Sequence, residues 1–326
     1  KVDRFWRLED HHNFYVAAKV PSANGVQVLD EIQESVDKVS GQYQVQVPWT
    51  DKNSNIANNY CQAYARIQSQ AKKFQENPEE CQECAATIEE YEKKGYAECV
   101  PPDEIRNGDY PVFYLPHHAV FHTRKKSRHV FNAAAQYKRV SLNSMVKPCP
   151  DLLETVVGIL LRFRDGSVGV AADIEAFFRA VGTYPSDRDR HHYLWFKDSS
   201  MMEVKHLPMV AHTFGRVRSL RDAVTAGKLE ESQCEKMKNS FYSDEFLPSY
   251  NNEQKAICYV VAVSRALGEE NFRLRKFKLH KQNFGDAIIT ELDLEANENA
   301  VAKDQTVLGI PWKIEDNALS ILYKKP

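Results

Sequence analysis

Residues 170–178 have the sequence VAADIEAFF, an apolar run that ends in the carboxylate of Asp173 and decides the fold. A second acid, Glu175, follows two positions later, and an aromatic residue, Phe178, follows after five. A short, continuous apolar run is typical of a buried strand. The pattern therefore predicts a strand over 168–174 that carries its acids at one end.

A second acidic stretch lies 71 positions (244 − 173) further along the chain, where residues 241–246 have the sequence FYSDEF. The adjacent acids Asp244 and Glu245 stand between aromatic residues, as at the tip of a tight hairpin. Carboxylates held together on strand ends repel one another unless a cation lies between them. Hard oxygen ligands suit Mg²⁺, and a pair of such ions can support phosphoryl transfer. On spacing alone, two solvated acidic turns are the commoner explanation, so both interpretations stay open.

Length and composition exclude several classes of protein. The chain has 326 residues, enough for about two domains of roughly 150 residues each. Its 43% hydrophobic and 27% charged residues are typical of a folded core and argue against disorder. The longest uncharged, largely apolar stretch is 256–264, which is far short of the roughly 20 residues that cross a bilayer. No membrane partner is expected.

The cysteines and paired histidines are the other candidate ligands. Seven cysteines, an odd number, favour reduced thiols in an intracellular protein. Cys81 and Cys84 form a CxxC, but the next cysteine is Cys99 with no histidine between, so two thiols in a helix are favoured over zinc. The histidine pairs at 117–118 and 191–192 are interpreted as a structural pair and part of a solvated turn.

Charge is distributed unevenly although the net charge is only −2. Residues 75–92 carry seven Glu and no Lys or Arg, whereas 121–140 carry six basic residues and no acid. Residues 271–281 carry five basic residues, again without an acid. The two basic stretches are either the walls of a phosphate-lined cleft or two solvated faces.

The order of patterns divides the chain near residue 100. Residues 1–100 are mostly polar and helical, with helices expected over 33–39, 58–74 and 78–94 and a half-exposed strand over 43–47. Pro101-Pro102 and Asn107-Gly108 mark the boundary to a second region, 101–326. Helices and strands alternate irregularly there, which favours an α+β fold. The expected strands are 112–115, 119–122, 129–132, 168–174, 193–196, 203–207 and 240–246, the expected helices 151–163 and 253–267, and the expected closing hairpin 306–311 with 318–322.

Ordered motifs over nearly the whole chain resemble the reverse transcriptase region of Pao/BEL-type LTR retrotransposon polyproteins. The most specific is YLPHHAV at 114–120. The others follow in the family's order: RHVFNAA at 128–134, ADIE at 172–175, HTFG at 212–215, YSD at 242–244, LRKF at 274–277 and VLGIPW at 307–312.

The resemblance implies a right-hand polymerase. Fingers and palm would occupy 101–326 and end near the primer grip, with the thumb largely missing and 1–100 as a helical N-terminal extension. It implies an RNA-directed DNA polymerase that uses Mg²⁺, or alternatively Mn²⁺, to add deoxynucleotides to a primer by two-metal phosphoryl transfer. The implied partners are a primed RNA or DNA template, deoxynucleoside triphosphates and other polyprotein segments. The implied location is the cytoplasm, within virus-like particles.

The resemblance also implies a role for individual residues. Two aspartates, the acid next to the second of them, and one carbonyl would bind metal: Asp173, Asp244, Glu245 and Ile174. Lys276 would be a general acid for pyrophosphate, which makes the catalytic set Asp173, Asp244, Glu245 and Lys276. Nucleotide-binding positions would be Lys126, Arg128, Phe178, Phe214 and Gly215, with Phe178 crowding the sugar 2′-position. The primer grip would include Leu308, Gly309 and Trp312.

Departures from the family pattern lie close to the implied site. Glu245 stands where the family has aspartate, Asn132 replaces another aspartate, and residues 216–220 replace small residues and Ser-Pro. Two explanations stay open: a divergent but working polymerase, or a catalytically decayed or host-captured domain that binds only nucleic acid or a protein partner. A third class, a structural module that acts through the acidic helices of 58–94, predicts that the catalytic segments can be mutated without effect.

Overall fold

The computed structural model combines N-terminal helices and strands with a central antiparallel sheet. The structure describes residues 23–51, 57–101, 104, 112–122, 125–150, 155–212, 228–279, 287–288, 290–292, 306–313 and 318–319. The helices are α1 (Ala23–Glu34), α2 (Tyr60–Glu76), α3 (Pro78–Lys93), α4 (Leu142–Met145), α5 (Val156–Asp165), α6 (Pro185–Arg188), α7 (Glu231–Asn239) and α8 (Glu253–Gly268).

Short strands make up the rest of the regular structure. They are β1 (Asp37–Val39), β2 (Gln42–Val45), β3 (His117–His122), β4 (Lys125–Phe131), β5 (Val168–Ile174), β6 (Gly182–Thr183), β7 (His192–Phe196), β8 (Val204–Pro208), β9 (Phe241–Tyr242), β10 (Glu245–Phe246), β11 (Ser249–Tyr250), β12 (Leu274–Leu279), β13 (Thr306–Val307), β14 (Ile310–Lys313) and β15 (Ala318–Leu319). Helices and strands are mixed, as the α+β prediction requires.

The central sheet is organised around β5, the strand predicted from the opening motif. It pairs antiparallel with β10, β11 and β12, and β9 extends the sheet beyond β10. Every residue of β5 except the half-buried Asp173 is buried. Helix α8 covers the sheet with an apolar face, and Val260 and Leu267 are fully buried against the strand residues. Each such side chain contributes about 1.5–3 kcal/mol, so the position of Asp173 is fixed by the core beneath it.

A second core joins the N-terminal helices to the hairpin of β7 and β8. Ile67 and Phe74 of α2 and Ile88 of α3 pack against Trp195 and Phe196 of β7. The two helices begin and end close to the predicted 58–74 and 78–94, and Pro78 opens α3 at a first-turn position. Their apolar faces are therefore covered by strands of the later part of the chain.

Two local predictions of secondary structure are wrong, and the histidines at 191–192, which were expected in a solvated turn, are buried. The segment 33–39 is not a helix: α1 ends at Glu34, and β1 follows in a hairpin with β2. The turn places Ser40 and Gly41 at φ values of 52° and 83°, which is the geometry of a two-residue hairpin turn. Residues 112–115 form no strand. Tyr114 makes only an isolated parallel bridge to His192, through the N–H of Leu115 and the carbonyl of Phe113, and its own N–H bonds the side chain of Asn59 at 2.6 Å.

The described helices are at most 17 residues long. None of those in the described part of the chain is long and apolar enough to cross a membrane.

None of the seven cysteines forms a disulfide, and burial raises the pKa of Cys84 in α3 to about 12. A thiol with so high a pKa stays protonated near neutral pH and is a poor zinc ligand.

Candidate active site

A cavity of about 830 Å³ opens at the end of β5. It is lined by the two acidic stretches, one residue of β4 and two later segments of the chain. The lining residues are Arg128, Asp173, Ile174, Glu175, Ala176, Tyr242, Ser243, Asp244, Glu245, Arg275, Lys276 and Leu308.

Strand pairing brings the two acidic stretches together. In the antiparallel ladder of β5 and β10, Glu245 lies directly opposite Asp173. The turn between β9 and β10 carries Asp244, whose backbone carbonyl accepts a hydrogen bond of 2.9 Å from the N–H of Ile174. The tight turn at 243–244 therefore holds three carboxylates at one end of the sheet.

Aromatic packing fixes this hairpin from below. Phe241 and Phe246 flank the turn in sequence, are fully buried, and have ring centroids 4.7 Å apart. Alternation places the intervening Tyr242 and Glu245 on the side of the cavity. The aromatic–acid–aromatic pattern of 241–246 is thus the local reason that the acids face the opening.

Strand β12 brings cations to the same place. Arg275 is the Cα partner of Asp173, and a register shift follows between Arg275 and Lys278. Lys276 lies at this irregularity with its Nζ 3.2 Å from Oδ2 of Asp173, and the Nε of Arg275 is 3.2 Å from Oε2 of Glu175. The side chain of Lys276 is 55% exposed, so water competes with its ion pair, which contributes at most about 1 kcal/mol.

The carboxyl of Glu245 is in a different environment from the other acids. Burial raises its pKa above the ordinary value, and the nearby charges of Asp173 and Asp244 raise it further. The backbone N–H of Leu308 donates to its Oε2 at 3.0 Å and, with Lys278, opposes that increase. The carboxyl of Glu245 therefore takes up a proton more readily than an exposed glutamate, chiefly because it is buried.

Backbone strain is concentrated around the cavity. Four non-glycine residues in its lining have positive φ: Ala176 (47°), Ser243 (55°), Lys276 (55°) and Leu308 (49°). Side chains with a Cβ rarely adopt this conformation, which costs about 1–3 kcal/mol per residue. Such conformations persist where the surrounding structure holds them, and they cluster at functional sites.

The acids are of the right chemical type for a magnesium site, but they are not gathered into one. Among the described residues, no group of three or more His, Cys, Asp or Glu side chains is arranged to hold a metal ion. Lys276 takes one oxygen of Asp173, and Leu308 takes one oxygen of Glu245. The arrangement therefore does not fit a preformed metal centre, and metal binding by Asp173, Ile174, Asp244 and Glu245 stays a prediction.

The other predicted residues have mixed positions. Arg128 of β4 lines the cavity, whereas Phe178 lies outside its lining, half-buried in a 3₁₀ turn with its ring 5.4 Å from that of Phe177. Lys126 belongs to β4, but its side chain lies outside the described residues, as do Phe214 and Gly215.

The residues expected in a primer grip belong to the hairpin of β13 and β14. Leu308 lines the cavity, and Gly309 follows it in the turn with φ of 75°. Trp312 is only 1% exposed and packs edge-on against Phe163, with ring centroids 5.1 Å apart. Its indole therefore anchors the hairpin to the sheet instead of facing the opening.

Two charged lining residues were not selected as site residues from the sequence. Arg275 was included only as one of five charges in a basic stretch, and Glu175 only as a second acid near Asp173. Their ion pair joins β12 to the end of β5 across 100 residues of sequence. The signal was present as opposite charges beside two predicted site residues, but the sequence gives no register that would pair them.

Only the comparison with solved structures identifies proteins similar to this chain. No protein-family model matches the chain, and no curated protein matches it either. Among solved structures, a crystal structure of prototype foamy virus protease-reverse transcriptase matches with a TM-score of 0.46 and 14% sequence identity. The match covers 61% of this chain and 24% of that one, so the chain spans about a quarter of that protein. Since a TM-score this low carries no argument, the inferences below depend on the residues and geometry of this chain.

Proposed function

We propose that this chain is the RNA-directed DNA polymerase domain of a Pao/BEL-like retroelement polyprotein, with fingers and palm in 101–326. One observation carries the proposal: the β5–β10 pairing sets Glu245 opposite Asp173 and Asp244 beside them, in a cavity that Arg128 and Lys276 also line. Acids and phosphate-binding cations that face one opening suit the transfer of a charged phosphoryl group. The ordered sequence motifs suggest which phosphoryl transfer this is, namely the addition of deoxynucleotides to a primer.

Each residue would contribute position and charge. The guanidinium of Arg128 would hold the phosphates of an incoming deoxynucleoside triphosphate, because its planar fork matches phosphate oxygens. The ammonium of Lys276 would give a proton to the departing pyrophosphate. Phe178 would crowd the sugar 2′-position, and Lys126, Phe214 and Gly215 would complete the nucleotide site. A bound Mg²⁺ or Mn²⁺ would supply charge stabilisation for the transferring phosphoryl group.

The partners follow from this chemistry. They would be a primed RNA or DNA template, deoxynucleoside triphosphates and other segments of the polyprotein, within cytoplasmic virus-like particles. The basic residues of β4 and β12 would contact phosphates, so primer–template affinity would fall as salt is raised.

Single-nucleotide incorporation on a primed RNA template tests the proposal. We expect Asp173→Asn to lower incorporation by about a hundredfold or more, because groups that act as one unit lose most of the rate together. The matched control is Asp30→Asn, the same change at an exposed position of α1, which should leave the rate unchanged. Equal incorporation by Asp173→Asn and the wild-type protein would refute the assignment of this cavity.

A second candidate function, binding without catalysis, is favoured by one observation. Lys276 and the N–H of Leu308 already occupy oxygens of Asp173 and Glu245, so the acids are partly neutralised without a metal. In that case neither protein would incorporate nucleotides. Asp173→Asn would then bind primer–template with the same salt-dependent affinity as the wild-type protein.

A further inference from the structure

The hairpin of β13 and β14 is attached to the central sheet by two charged side chains. Oε2 of Glu245 accepts a hydrogen bond of 3.0 Å from the N–H of Leu308, and Nζ of Lys278 donates to the carbonyl of Thr306 at 2.5 Å. Glu245 comes from β10 and Lys278 from β12, two of the strands that pair with β5. The polar contacts therefore connect the acidic hairpin and its neighbouring strand to the segment that carries Leu308.

The turn of this hairpin has a donor that its own ladder does not use. The pairing of β13 with β14 ends at Val307 and Ile310, which leaves Leu308 and Gly309 as a two-residue turn with φ values of 49° and 75°. Turns of this type prefer Asn or Gly at the first position because a Cβ is unfavourable there. Leu308 is held in the conformation instead, and Glu245 supplies the acceptor for its N–H.

Side-chain length decides which acid can make this contact. Aspartate at position 245 would be shorter by one methylene group, about 1.5 Å. The separation from the Leu308 nitrogen would then exceed the limit of a hydrogen bond, about 3.5 Å, unless the backbone moved. Glutamine has the length of glutamate, and its carbonyl oxygen can accept the same hydrogen bond without a charge.

We infer that Glu245 is a positioning residue, which holds the turn of Leu308 and Gly309 against the acidic hairpin, and that it is not a metal ligand. One part of the inference rests on the proposed function: that the group positioned beside the cavity is the primer end. The contact itself stands on the geometry of Glu245, Leu308 and the strained turn. It also explains why glutamate stands where the family pattern has aspartate: the longer side chain reaches the turn.

Two variants that differ in length and charge separate the two roles. Hydrogen exchange of the Leu308 amide, followed by NMR with leucine-selective ¹⁵N labelling, reports the contact without any need for activity. We expect Glu245→Gln to keep the wild-type protection within severalfold and Glu245→Asp to lose it by about tenfold. In single-nucleotide incorporation, Glu245→Asp should raise KM for primer–template by about tenfold relative to Glu245→Gln, with a smaller change in kcat.

The opposite pattern would overturn the inference. A metal ligand would tolerate aspartate and fail as glutamine, so active Glu245→Asp with inactive Glu245→Gln refutes a positioning role. Equal Leu308 exchange in all three proteins would refute the contact. If Glu245→Asp does not fold, Glu245→Gln decides alone, because it removes the charge and keeps the acceptor. If the wild-type protein incorporates nothing, the proposed function fails while the exchange experiment still decides the contact.

Discussion

The cavity and the buried histidines treat titratable side chains in opposite ways. In the cavity, Asp173 and Lys276 have side chains 29% and 55% exposed and form an ion pair. The buried histidines, which we define as His117, His129 and His191, lie under aromatic side chains, and burial lowers the pKa of each. Charges kept in contact with water are available to a substrate, whereas groups held neutral in a core stabilise the fold. The comparison favours the cavity as the candidate site, although the histidines are the more conspicuous feature of the sequence.

Hydrogen bonds confirm the structural interpretation of His117. Its Nε2–H donates to the carbonyl of Leu194 at 2.8 Å, and its Nδ1 lies 2.6 Å from Nε2 of His129. Because a carbonyl can only accept, His117 is protonated on Nε2 and accepts through Nδ1 from His129. A second proton on His117 would place two N–H groups face to face unless His129 moved its own proton to Nδ1, and burial disfavours the charged form of the pair.

Acid should therefore weaken the histidine region first, and this is the largest effect expected. The pKa values of His117 and His191 are lowered to about 4, while the unfolded chain takes up protons near the ordinary value of 6.5. Stability is thus complete above pH 6.5 and is lost as the pH falls toward 4. Between pH 7.5 and 5, each histidine should lower the free energy of unfolding by about 2 kcal/mol.

Urea unfolding at a series of pH values measures this loss. His117→Gln should reduce the dependence of the unfolding free energy on pH, by up to about 1.4 kcal/mol per pH unit between 6.5 and 4. His118→Gln changes the exposed neighbour and serves as the control with an unchanged slope. If the unfolding free energy of the two variants depends on pH in the same way, His117 is not a source of the acid sensitivity.

The docking of the β13–β14 hairpin provides a test on the cavity side. A Cβ at Gly169 would lie 2.9 Å from Cζ of Phe163 and 3.2 Å from Cζ2 of Trp312. Gly169→Ala should destabilise the protein by about 1–3 kcal/mol, because both rings are buried and closely packed. It should also displace Trp312 and lower nucleotide incorporation, unlike the histidine variants.

Gly268→Ala is the matched control for this change. Gly268 is the last residue of α8, and a Cβ there meets nothing within 4 Å. Alanine at this position should stabilise the protein by about 0.5–1 kcal/mol, since it removes conformational freedom from the unfolded chain. Both variants can be followed by thermal unfolding. Similar destabilisation by both would show that the contact with Phe163 and Trp312 is not the cause.

The sequence predicted the elements of the site better than their arrangement. The apolar run before Asp173 and the aromatic residues around Asp244 and Glu245 identify a strand and a hairpin from local patterns alone. The register that sets Glu245 opposite Asp173 depends on pairing between residues 72 positions (245 − 173) apart. The bulge that presents Lys276 and the positive φ of Leu308 are held by long-range contacts. No local propensity favours those conformations, so they could not be predicted.

The same limit applies to the fold. The amphipathic helices of 58–94 were predicted because a period of 3.6 residues is a local property. Their packing on Trp195 and Phe196 of β7 was not predicted, because the period gives each helix an apolar face but does not say which strands that face contacts. Helix α1 was missed for a different reason: its first turn contains Asn24-Gly25, a pair that is typical of turns.

Arg179 connects the turn after β5 to the N-terminal helix α3. This contact offers the smallest and most specific test of whether the helices influence the cavity. Arg179 follows Phe178 in the 3₁₀ turn after β5, and its Nη2 donates to the hydroxyl of Tyr91 in α3 at 2.6 Å. Its guanidinium also lies over the ring of Tyr91, 4.4 Å from the centroid. A double-mutant cycle of Arg179→Met and Tyr91→Phe should give a coupling energy of about 0.5–1 kcal/mol.

The incorporation rate of the same variants decides whether the helices affect the cavity. Arg179 adjoins Phe178, which the proposed function assigns to nucleotide selection, so a loosened turn should weaken discrimination between deoxy- and ribonucleotides. Tyr91→Phe keeps the ring and removes only the hydroxyl, and it should therefore have a smaller effect on discrimination than Arg179→Met. A coupling energy near zero, together with unchanged discrimination, would mean that the helices only cover the strands. The cavity would then depend on the central sheet alone, and the two regions would be more independent than their shared contacts indicate.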